Sequence, residues 1–289
     1  MNDHGPSFGH FLVPNAADPL IDTARQVERL GLEYVGIQDH PYQRRFVDTF
    51  ALMSAILAST TTLKVFPDVA NLPLRPPGVL AKTAASLDVL SDGRFELGLG
   101  AGGFWDAIDG YGGERRAPGQ ALAQLAEGIE VIRMLWSGER GLRYEGDYYH
   151  LRGVHSGPLP VHDIGIWVGS YGPRSLHQTG QLADGWVPSI RADLVRALPE
   201  MNERVDEGAA SAGRDPSAIR RVFNVGGVIT DGASEGFLNG PAEQWADELA
   251  TLVTDHRADV LVFAGSAGEK LRRFATDVVP AVRERLREG

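Results

Sequence analysis

The sequence contains no cysteine among its 289 residues. Disulfides, thiolate nucleophiles, iron–sulfur clusters and cysteine-based zinc sites are therefore excluded. No apolar run approaches the ~20 residues that a bilayer-spanning helix needs, and Pro6 and Pro14 interrupt the region where a signal segment would lie. The net charge is −10 without a strong basic cluster, which disfavours nucleic acids and anionic membranes as partners. We expect a cytoplasmic protein that acts on a small-molecule substrate.

Several catalytic signatures are also missing. The chain has no G-x-S-x-G nucleophile elbow and no P-loop, so hydrolase and kinase functions lose their usual support. His155 and His162 lie in a loop rich in glycine and proline, and no H-E-x-x-H motif or matching carboxylate spacing accompanies them. The sequence therefore predicts no metal site.

Short apolar runs alternate with helical patterns along the whole chain. Eight strands are predicted, at Phe8–Val13, Tyr34–Gln38, Lys64–Ala70, Arg94–Leu99, Gly165–Gly169, Gly185–Pro188, Val222–Ile229 and Val260–Ala264. Helices are predicted after them, at Pro19–Leu30, Thr49–Ser59, Gly78–Leu90, Pro118–Trp136, Pro173–Leu182, Leu194–Ala212, Pro241–Thr254 and Glu269–Leu286. This rhythm matches an α/β fold of the (β/α)8 TIM-barrel type, although an open doubly wound sheet shows the same alternation. Without a linker or repeat, residues 1–289 are predicted to form a single domain.

A small hairpin is predicted as an insertion in this pattern. The segment Leu142–Leu151 has apolar residues on both sides of Glu145, Gly146 and Asp147. A polar turn between two apolar arms is typical of a β-hairpin. We therefore expect the hairpin between helix 4 and strand 5.

The glycines Gly98, Gly100 and Gly103 form a G-x-G-x-x-G pattern at the end of the fourth predicted strand. A dinucleotide-binding turn would need a helix opening at these glycines and an acidic residue about 20 positions further on. The segment after Gly103 is too glycine-rich to start a helix, and a helix rather than a strand is predicted from Pro118. The glycines are therefore better explained as a strand exit where a ligand approaches the backbone closely.

Polar residues at other strand exits are candidates for chemistry, because the active sites of barrels lie at the carboxyl ends of the strands. Asp39 and His40 follow strand 2, where the carboxylate can orient the imidazole or raise its pKa. A capped loop with an ordinary surface histidine would give the same sequence. His10 lies within strand 1, where its ring either faces the substrate or is a satisfied core histidine.

The exit of strand 5 predicts an anion site. A helix opens near Pro173, and Ser170, Arg174 and Ser175 lie close to its start. Free backbone N–H groups at a helix N-terminus favour phosphate groups. Simple capping of the helix by serine and glycine is the alternative explanation.

Seven segments taken together carry a family resemblance. They are Asp39-His40, Asn71–Pro77, Leu80–Lys82, Leu90–Gly102, Pro118–Gln120, Tyr144–Tyr149, and Ile166–Arg174 with the following Ala183–Trp186. Over roughly residues 8 to 190 the chain resembles the bacterial-luciferase-like (luciferase-like monooxygenase) family of flavin- and deazaflavin-dependent oxidoreductases. The resemblance implies the barrel rather than the open sheet, with FMN or coenzyme F-420 at the carboxyl ends of the strands.

The resemblance also implies where the cofactor lies. A bulged third strand faces the back of the ring through Asp68, Val69 and Ala70, with a non-prolyl cis peptide bond between Asp68 and Val69. The exit of strand 4 passes the ring and the phosphate arm, and the exit of strand 5 takes the phosphate. The residues implied are Gly100, Ala101 and Gly102, followed by Ser170, Tyr171, Gly172, Pro173 and Arg174.

Roles for the reacting groups follow from the same resemblance. The Asp39-His40 pair looks like that of the deazaflavin-using branch, in which Asp39 would contact the cofactor and His40 would be the acid/base catalyst. FMN-using members often carry Glu-His there. Some deazaflavin dehydrogenases have a catalytic glutamate where this chain has Gly103, which argues against a sugar-phosphate dehydrogenase. Trp105 would form an aromatic wall of the substrate pocket.

Three functions are therefore compared. The first is an oxidoreductase that uses coenzyme F-420 to move a hydride to or from a small organic substrate. The second is an FMN-dependent monooxygenase that receives reduced flavin from a partner reductase, and the third is a flavin-binding barrel without turnover. Members of the family commonly form homodimers, and we expect the same here.

Overall fold

The structure, a computed structural model, describes residues 5–288 and contains a barrel of parallel strands. The eight barrel strands are Ser7–Leu12, Tyr34–Ile37, Lys64–Pro67 with Ala70–Asn71, Leu97–Gly100, Ile166–Val168, Gly185–Trp186 with Ser189–Ile190, Arg220–Val225 and Val260–Phe263. The first strand pairs with the second and with the eighth, and the two halves of the third strand join the second to the fourth. Every barrel pairing is parallel, and the strand order returns to its starting point. The predicted TIM barrel is confirmed, and the open sheet is not found.

Helices cover the outside of the barrel. The longer ones are Leu20–Arg29, Thr49–Ser59, Pro77–Ser91, Pro118–Trp136, Pro173–Leu182, Leu198–Ser211, Ala242–Thr254 and a last helix built from Glu269–Arg273, a π-helical turn at Phe274–Val278 and Val279–Glu288. Short helices occupy Trp105–Gly110 and Ala192–Val195, and 3₁₀ turns occupy Leu72–Leu74 and Pro216–Ala218. None of the helices within residues 5–288 is long and apolar enough to cross a membrane.

The core has two layers because successive side chains of a strand point to opposite faces of the sheet. On the last strand, Val260 and Val262 point into the barrel, whereas Leu261 and Phe263 point toward the helices. Tyr34, Phe66 and Trp167 fill the barrel interior beside these valines. The interior is therefore a packed core up to the level at which the strands end.

The predicted hairpin between helix 4 and strand 5 is confirmed. Leu142–Glu145 and His150–Val154 pair antiparallel in a separate sheet. The Glu127 carboxylate, on the long helix Pro118–Trp136, accepts the backbone N–H groups of Asp147, Tyr148 and Tyr149 in the turn at 2.8, 2.9 and 3.1 Å. The Glu127 side chain thus binds the turn of the hairpin to the helix Pro118–Trp136.

Some predicted boundaries are wrong. Strand 7 leaves the barrel after Val225, and Val228–Ile229 pairs instead with Asn239–Gly240. The helix predicted over Leu194–Ala212 is divided, with Pro199 in the first turn of its second part, where the missing N–H and the ring prevent continuation of the preceding turn.

The segment after Gly103 also differs from the prediction. It forms the short helix Trp105–Gly110 despite its glycines, because Ile108 packs fully buried beneath it. Tertiary burial of one side chain outweighs weak local propensity here.

Candidate active site

A cavity of about 930 Å³ opens where the barrel strands end. Its volume falls within the range typical of small-molecule sites. The lining includes every predicted site residue except His10, namely Asp39, His40, Asp68, Val69, Ala70, Gly100, Ala101, Gly102, Trp105, Ser170, Tyr171, Gly172, Pro173 and Arg174. The structure therefore brings residues from the exits of strands 2 to 5 into one site.

His10 lies elsewhere, which corrects its assignment to the substrate. It shares a strand face with Phe8 and Leu12, which pack in the layer between barrel and helices. The residue is 2% exposed, and Nδ1 lies 3.2 Å from the carbonyl oxygen of Phe263. Burial lowers the pKa of His10 to about 4, although the hydrogen bond to Phe263 opposes the shift. His10 is the satisfied core histidine that the sequence left open.

Asp39 is held by Arg75, a residue to which the sequence assigned no role. The guanidinium donates to both carboxylate oxygens at 2.6 and 2.7 Å, and the Asn71 N–H donates to one of them at 2.9 Å. Arg75 also bonds Asp48 at 2.7 Å and lies over the Phe50 ring. Burial lowers the pKa of Arg75, but the two carboxylates outweigh burial and raise it. Asp39 is thus a fixed, charged group beside the cavity.

His40 is half-buried at the same strand exit. Its Nδ1 lies 3.2 Å from the Gln38 amide nitrogen, which can donate to it and so leave the ring proton on Nε2. The ring stacks on Tyr42 at 5.3 Å and meets Phe104 edge-on at 5.2 Å. Burial lowers the pKa of His40, and the charge of Asp39 opposes this only in part. The imidazole is therefore neutral near pH 7 and able to accept a proton.

The third strand breaks between its two halves at the predicted place. The Asp68–Val69 peptide bond is cis, as the resemblance implied. The neighbouring fourth strand accommodates this bulge through its glycines: a Cβ on Gly98 would overlap the carbonyl oxygen of Pro67, and one on Gly100 would lie 2.7 Å from Val69 Cγ2. At these two positions, the close approach that requires glycine is by the third strand rather than by a ligand.

The exit of strand 4 leads over the cavity. Gly102 has a left-handed backbone with φ +94°, which favours glycine, and a side chain there would collide with Pro73 and Trp105. Phe104 follows with 63% of its surface exposed, and Trp105 begins the short helix. The loop thus places two aromatic rings at the cavity, of which the sequence identified Trp105.

The exit of strand 5 has the form of an anion site. The helix Pro173–Leu182 begins here with Gly172 as its N-cap, and Arg174 is exposed without an ion pair within residues 5–288. The Ser170 hydroxyl is buried and shares a hydrogen bond of 2.8 Å with Thr179, so it anchors the loop. Free N–H groups of a first helical turn beside an unpaired guanidinium favour phosphate.

Three buried oxygen atoms of the lining have no hydrogen-bond partner within the described residues. They are Tyr42 Oη, Asp68 Oδ2 and Asn71 Oδ1. Such atoms are rare in folded proteins and call for a ligand or water. Together with the apolar walls and the anion end, they fit a ring compound that carries hydrogen-bonding groups at its edge and a phosphate on an arm.

Other lining residues were not selected from the sequence. They include Phe11, Gln38, Tyr42, Asn71, Phe104, Leu122 and Leu125. Leu122 and Leu125 belong to the apolar stripe of a helix, and that stripe cannot distinguish a residue that packs in the core from one that faces a cavity. Tyr42 lies two residues from His40, so proximity in sequence was its only signal, whereas Asn71 begins one of the segments that carry the family resemblance.

Comparison with known proteins gives the site a context. Residues 3–236 match the family described as luciferase-like monooxygenase. An F-420-dependent glucose-6-phosphate dehydrogenase of Nocardia farcinica is 29% identical over 213 residues, which cover 71% of this chain and 63% of the relative. An F-420-dependent hydroxymycolic acid dehydrogenase of Mycobacterium tuberculosis is 30% identical over 227 residues, which cover 74% of this chain and 60% of the relative. The matches thus span less than two thirds of these relatives.

Solved structures share the fold over nearly the whole chain. An F-420-dependent secondary alcohol dehydrogenase in complex with an F-420–acetone adduct superposes with a TM-score of 0.83 at 18% identity, covering 96% of this chain and 99% of the other. A riboflavin lyase with modified FMN and riboflavin gives a TM-score of 0.83 at 16% identity, covering 97% and 92%. At this identity the likeness concerns the fold. The match over most of the sequence, which confirms the resemblance seen in its motifs, shows that the chain belongs to the luciferase-like monooxygenase family.

Proposed function

We propose that this protein is an oxidoreductase that uses coenzyme F-420 to transfer a hydride to or from a small organic substrate. The observation that carries the proposal is the neutral, half-buried His40 next to the fixed Asp39, at one end of a cavity whose other end suits a phosphate. The F-420-dependent relatives named above support the choice of cofactor.

Distinct parts of the cavity would hold the cofactor. Asp68, Val69 and Ala70 would lie along the back of the ring, and the exit of strand 4 from Gly100 to Gly102 would lie beside it. Ser170 to Arg174 would bind the phosphate arm through first-turn N–H groups and the Arg174 guanidinium. When bound, the deazaflavin supplies the hydride acceptor or donor, which no side chain provides.

His40 would manage the proton that accompanies the hydride. In the oxidising direction the substrate C–H bond breaks with its electron pair, and His40 takes the proton of the adjoining O–H group as the carbonyl forms. In the reducing direction His40 returns this proton. Asp39, fixed by Arg75, would stabilise the imidazolium that forms.

The lining also bears on the substrate. The only carboxylates among the lining residues are Asp39 and Asp68, and Gly103 has no side chain with which to serve as an acid. Phe11, Tyr42, Phe104 and Trp105 supply aromatic surface to the cavity, and Tyr42 and Phe104 contact the His40 ring. This supports a substrate with an apolar body rather than a sugar phosphate.

Titration of the purified protein with F-420 and with FMN tests the proposal. We expect F-420 to bind and FMN to bind more weakly. When a substrate alcohol is then added, the absorbance of the bound F-420 should change. Tight binding of FMN with no binding of F-420 would instead favour a flavin monooxygenase supplied by a reductase. Failure to bind either cofactor would favour a non-catalytic barrel.

We also propose that the protein forms a homodimer, as the family resemblance implies. Val79 and Leu90, exposed to 67% and 83%, lie eleven residues apart on the helix Pro77–Ser91 and therefore on one face. A second copy of the chain would cover this face. Sedimentation velocity of the purified protein measures the oligomeric state, and a monomer at micromolar concentration would contradict the proposal.

A further inference from the structure

The Asp68 side chain is a buried carboxyl group without an ion pair in the wall of the cavity. It is 9% exposed, and its Oδ2 atom is buried without a hydrogen-bond partner within residues 5–288. Gly36 on the second strand leaves the space that this oxygen occupies, since a Cβ there would lie 2.8 Å from Oδ2. The backbone N–H of Asp68 donates to Ile37 at 2.7 Å and fixes the residue in place. The carboxyl group is thus built into the wall rather than into an ion pair.

The surroundings of Asp68 lack compensating charge. Phe66 and Val69 adjoin it on its own strand, Gly36 faces it from the second strand, and the buried Asn224 faces it from the seventh. Burial raises the pKa of Asp68 to about 7, and only the Asn224 side chain opposes the rise. Asn224 Oδ1 is itself buried and unpartnered within the described residues.

The ionisable groups of the cavity lie on other strand exits. Asp39, His40 and Tyr42 follow the second strand, and Tyr171, Arg174 and Arg191 follow the fifth and sixth strands. Asp39 is neutralised by Arg75, and Arg191 is paired with Asp193 at 3.1 Å. None of these groups contributes to the shift of the Asp68 pKa. Its protonation therefore depends mainly on burial and on what occupies the cavity.

We propose that Asp68 binds the cofactor as a neutral carboxylic acid, donating its proton in a hydrogen bond to a lone pair on the cofactor ring. A charged carboxylate in an apolar wall would repel ring carbonyl oxygens and nitrogen lone pairs, whereas the protonated group both donates and accepts. Loss of the proton would therefore weaken binding. The inference rests on the proposed function for the identity of the ring, and it adds a protonation state and a hydrogen bond to a residue that the proposed function places only along the back of that ring.

The affinity for F-420 at pH 6 and pH 8 tests this, in wild-type protein and in Asp68→Asn and Asp68→Leu. Asparagine keeps the shape and a donor but cannot ionise, and leucine keeps the branched shape in a larger side chain without a donor. With an Asp68 pKa of about 7, we expect wild-type affinity to fall about tenfold more between these pH values than that of Asp68→Asn. Ionisation of the cofactor itself is common to all three proteins and cancels in the comparison. We expect Asp68→Leu to bind weakly at both pH values.

Infrared spectroscopy of the ligand-free protein gives an independent measurement. Wild type at pH 6 should show the carbonyl band of a protonated carboxylic acid, absent from Asp68→Asn and lost at high pH. Equal pH dependence in wild type and Asp68→Asn, or absence of the band, would overturn the inference while F-420 binding still supported the proposed function. No binding of F-420 by wild type at either pH would overturn the proposed function, and this inference with it.

Discussion

At the scale of single residues, two titratable groups of the cavity are shifted in opposite directions by the same cause. Burial lowers the pKa of His40 and raises that of Asp68 to about 7. Near neutral pH, His40 is thus a free base, and Asp68 retains its proton in a large fraction of molecules. Environments that separate the pKa values of neighbouring groups are typical of sites that use an acid and a base together.

We expect His40→Gln to lower kcat by about 10²- to 10⁴-fold, the usual contribution of a positioned acid/base group. Its affinity for F-420 should stay within about twofold of wild type, because glutamine keeps the polarity and much of the size of the ring. Wild-type oxidation should slow as pH falls through the lowered pKa of His40, since the protonated ring cannot accept a proton. Steady-state rates across pH measure both effects. The exposed His150 supplies the control His150→Gln, and equal losses in the two variants would contradict the role of His40.

Arg174→Ala should weaken F-420 binding by about tenfold or more, because a charge-assisted bond to phosphate contributes roughly 1.5–3 kcal/mol. Arg191→Ala is the matched control, since that guanidinium lines the same cavity but is already paired with Asp193. Fluorescence or absorbance titration measures both affinities. A larger loss in Arg191→Ala than in Arg174→Ala would place the phosphate elsewhere.

At the scale of secondary-structure elements, the exits of strands 2 and 3 are joined by one side chain. Arg75 bonds Asp39 after the second strand and Asp48, whose other oxygen caps the helix Thr49–Ser59. Three elements thus meet at a single guanidinium. This contact spans 36 residues between Arg75 and Asp39, which explains why no local pattern revealed it.

Removing this guanidinium should destabilise the fold. Arg75→Ala leaves the buried Asp39 unpaired, and we expect a loss of about 3–5 kcal/mol in the free energy of unfolding. Arg25→Ala removes an exposed ion pair with Asp22 and should change it by less than about 1 kcal/mol. Urea denaturation monitored by circular dichroism compares the two, and similar stabilities would show that Arg75 does not join these elements.

The inserted hairpin depends on Glu127 in the same way. Glu127→Ala leaves three backbone N–H groups of the turn without their acceptor, so we expect faster amide exchange at residues 147 to 149. Glu130→Ala removes a single bond from the Tyr144 hydroxyl and is the control. Hydrogen–deuterium exchange by mass spectrometry distinguishes them, and unchanged protection in Glu127→Ala would show that the hairpin is held by other contacts.

All eight predicted barrel strands are found in the structure. They could be predicted because each is marked by an apolar run that is visible in the local sequence. The details around the site were harder to predict. The interruption at Asp68–Val69 entered through family resemblance alone, and the helix Trp105–Gly110 depends on the burial of Ile108, which the sequence does not reveal. The position of His10 could not be predicted for a similar reason. Alternation along a strand does not show which of its two faces points into the barrel, because that depends on the neighbouring strands.

At the scale of the whole molecule, His10 and Asp68 oppose each other in the dependence of stability on pH. His10, with its pKa lowered from 6.5 to about 4, makes the fold more stable as pH rises through that window, because the unfolded state holds the extra proton. Asp68, with its pKa raised from 3.8 to about 7, makes it less stable as pH rises, because the folded state holds the proton. Each contribution is on the order of 3 kcal/mol.

In the wild type, the effects of His10 and Asp68 on the pH dependence of the free energy of unfolding nearly cancel. We therefore expect a substitution of either residue to make the effect of the other measurable. Asp68→Asn should gain stability relative to wild type as pH rises from 4 to 7, and His10→Asn should lose stability relative to wild type as pH rises from 4 to 6.5. Chemical denaturation at four or five pH values in this range measures the difference. Parallel profiles for wild type and Asp68→Asn would mean that Asp68 ionises at its ordinary pH in the folded protein.

The contact between the third and fourth strands has a consequence for how such a protein can change its substrate. Both inward positions of the fourth strand are closed by the third strand, since the carbonyl oxygen of Pro67 lies against Gly98 and the side chain of Val69 lies against Gly100. A larger residue at Gly98 would displace the backbone, and one at Gly100 would displace the Val69 side chain, so this wall resists single substitutions. Diversity of substrates, whether selected in nature or in the laboratory, must then arise in the loops that carry Tyr42, Phe104 and Trp105, while the barrel beneath them stays the same.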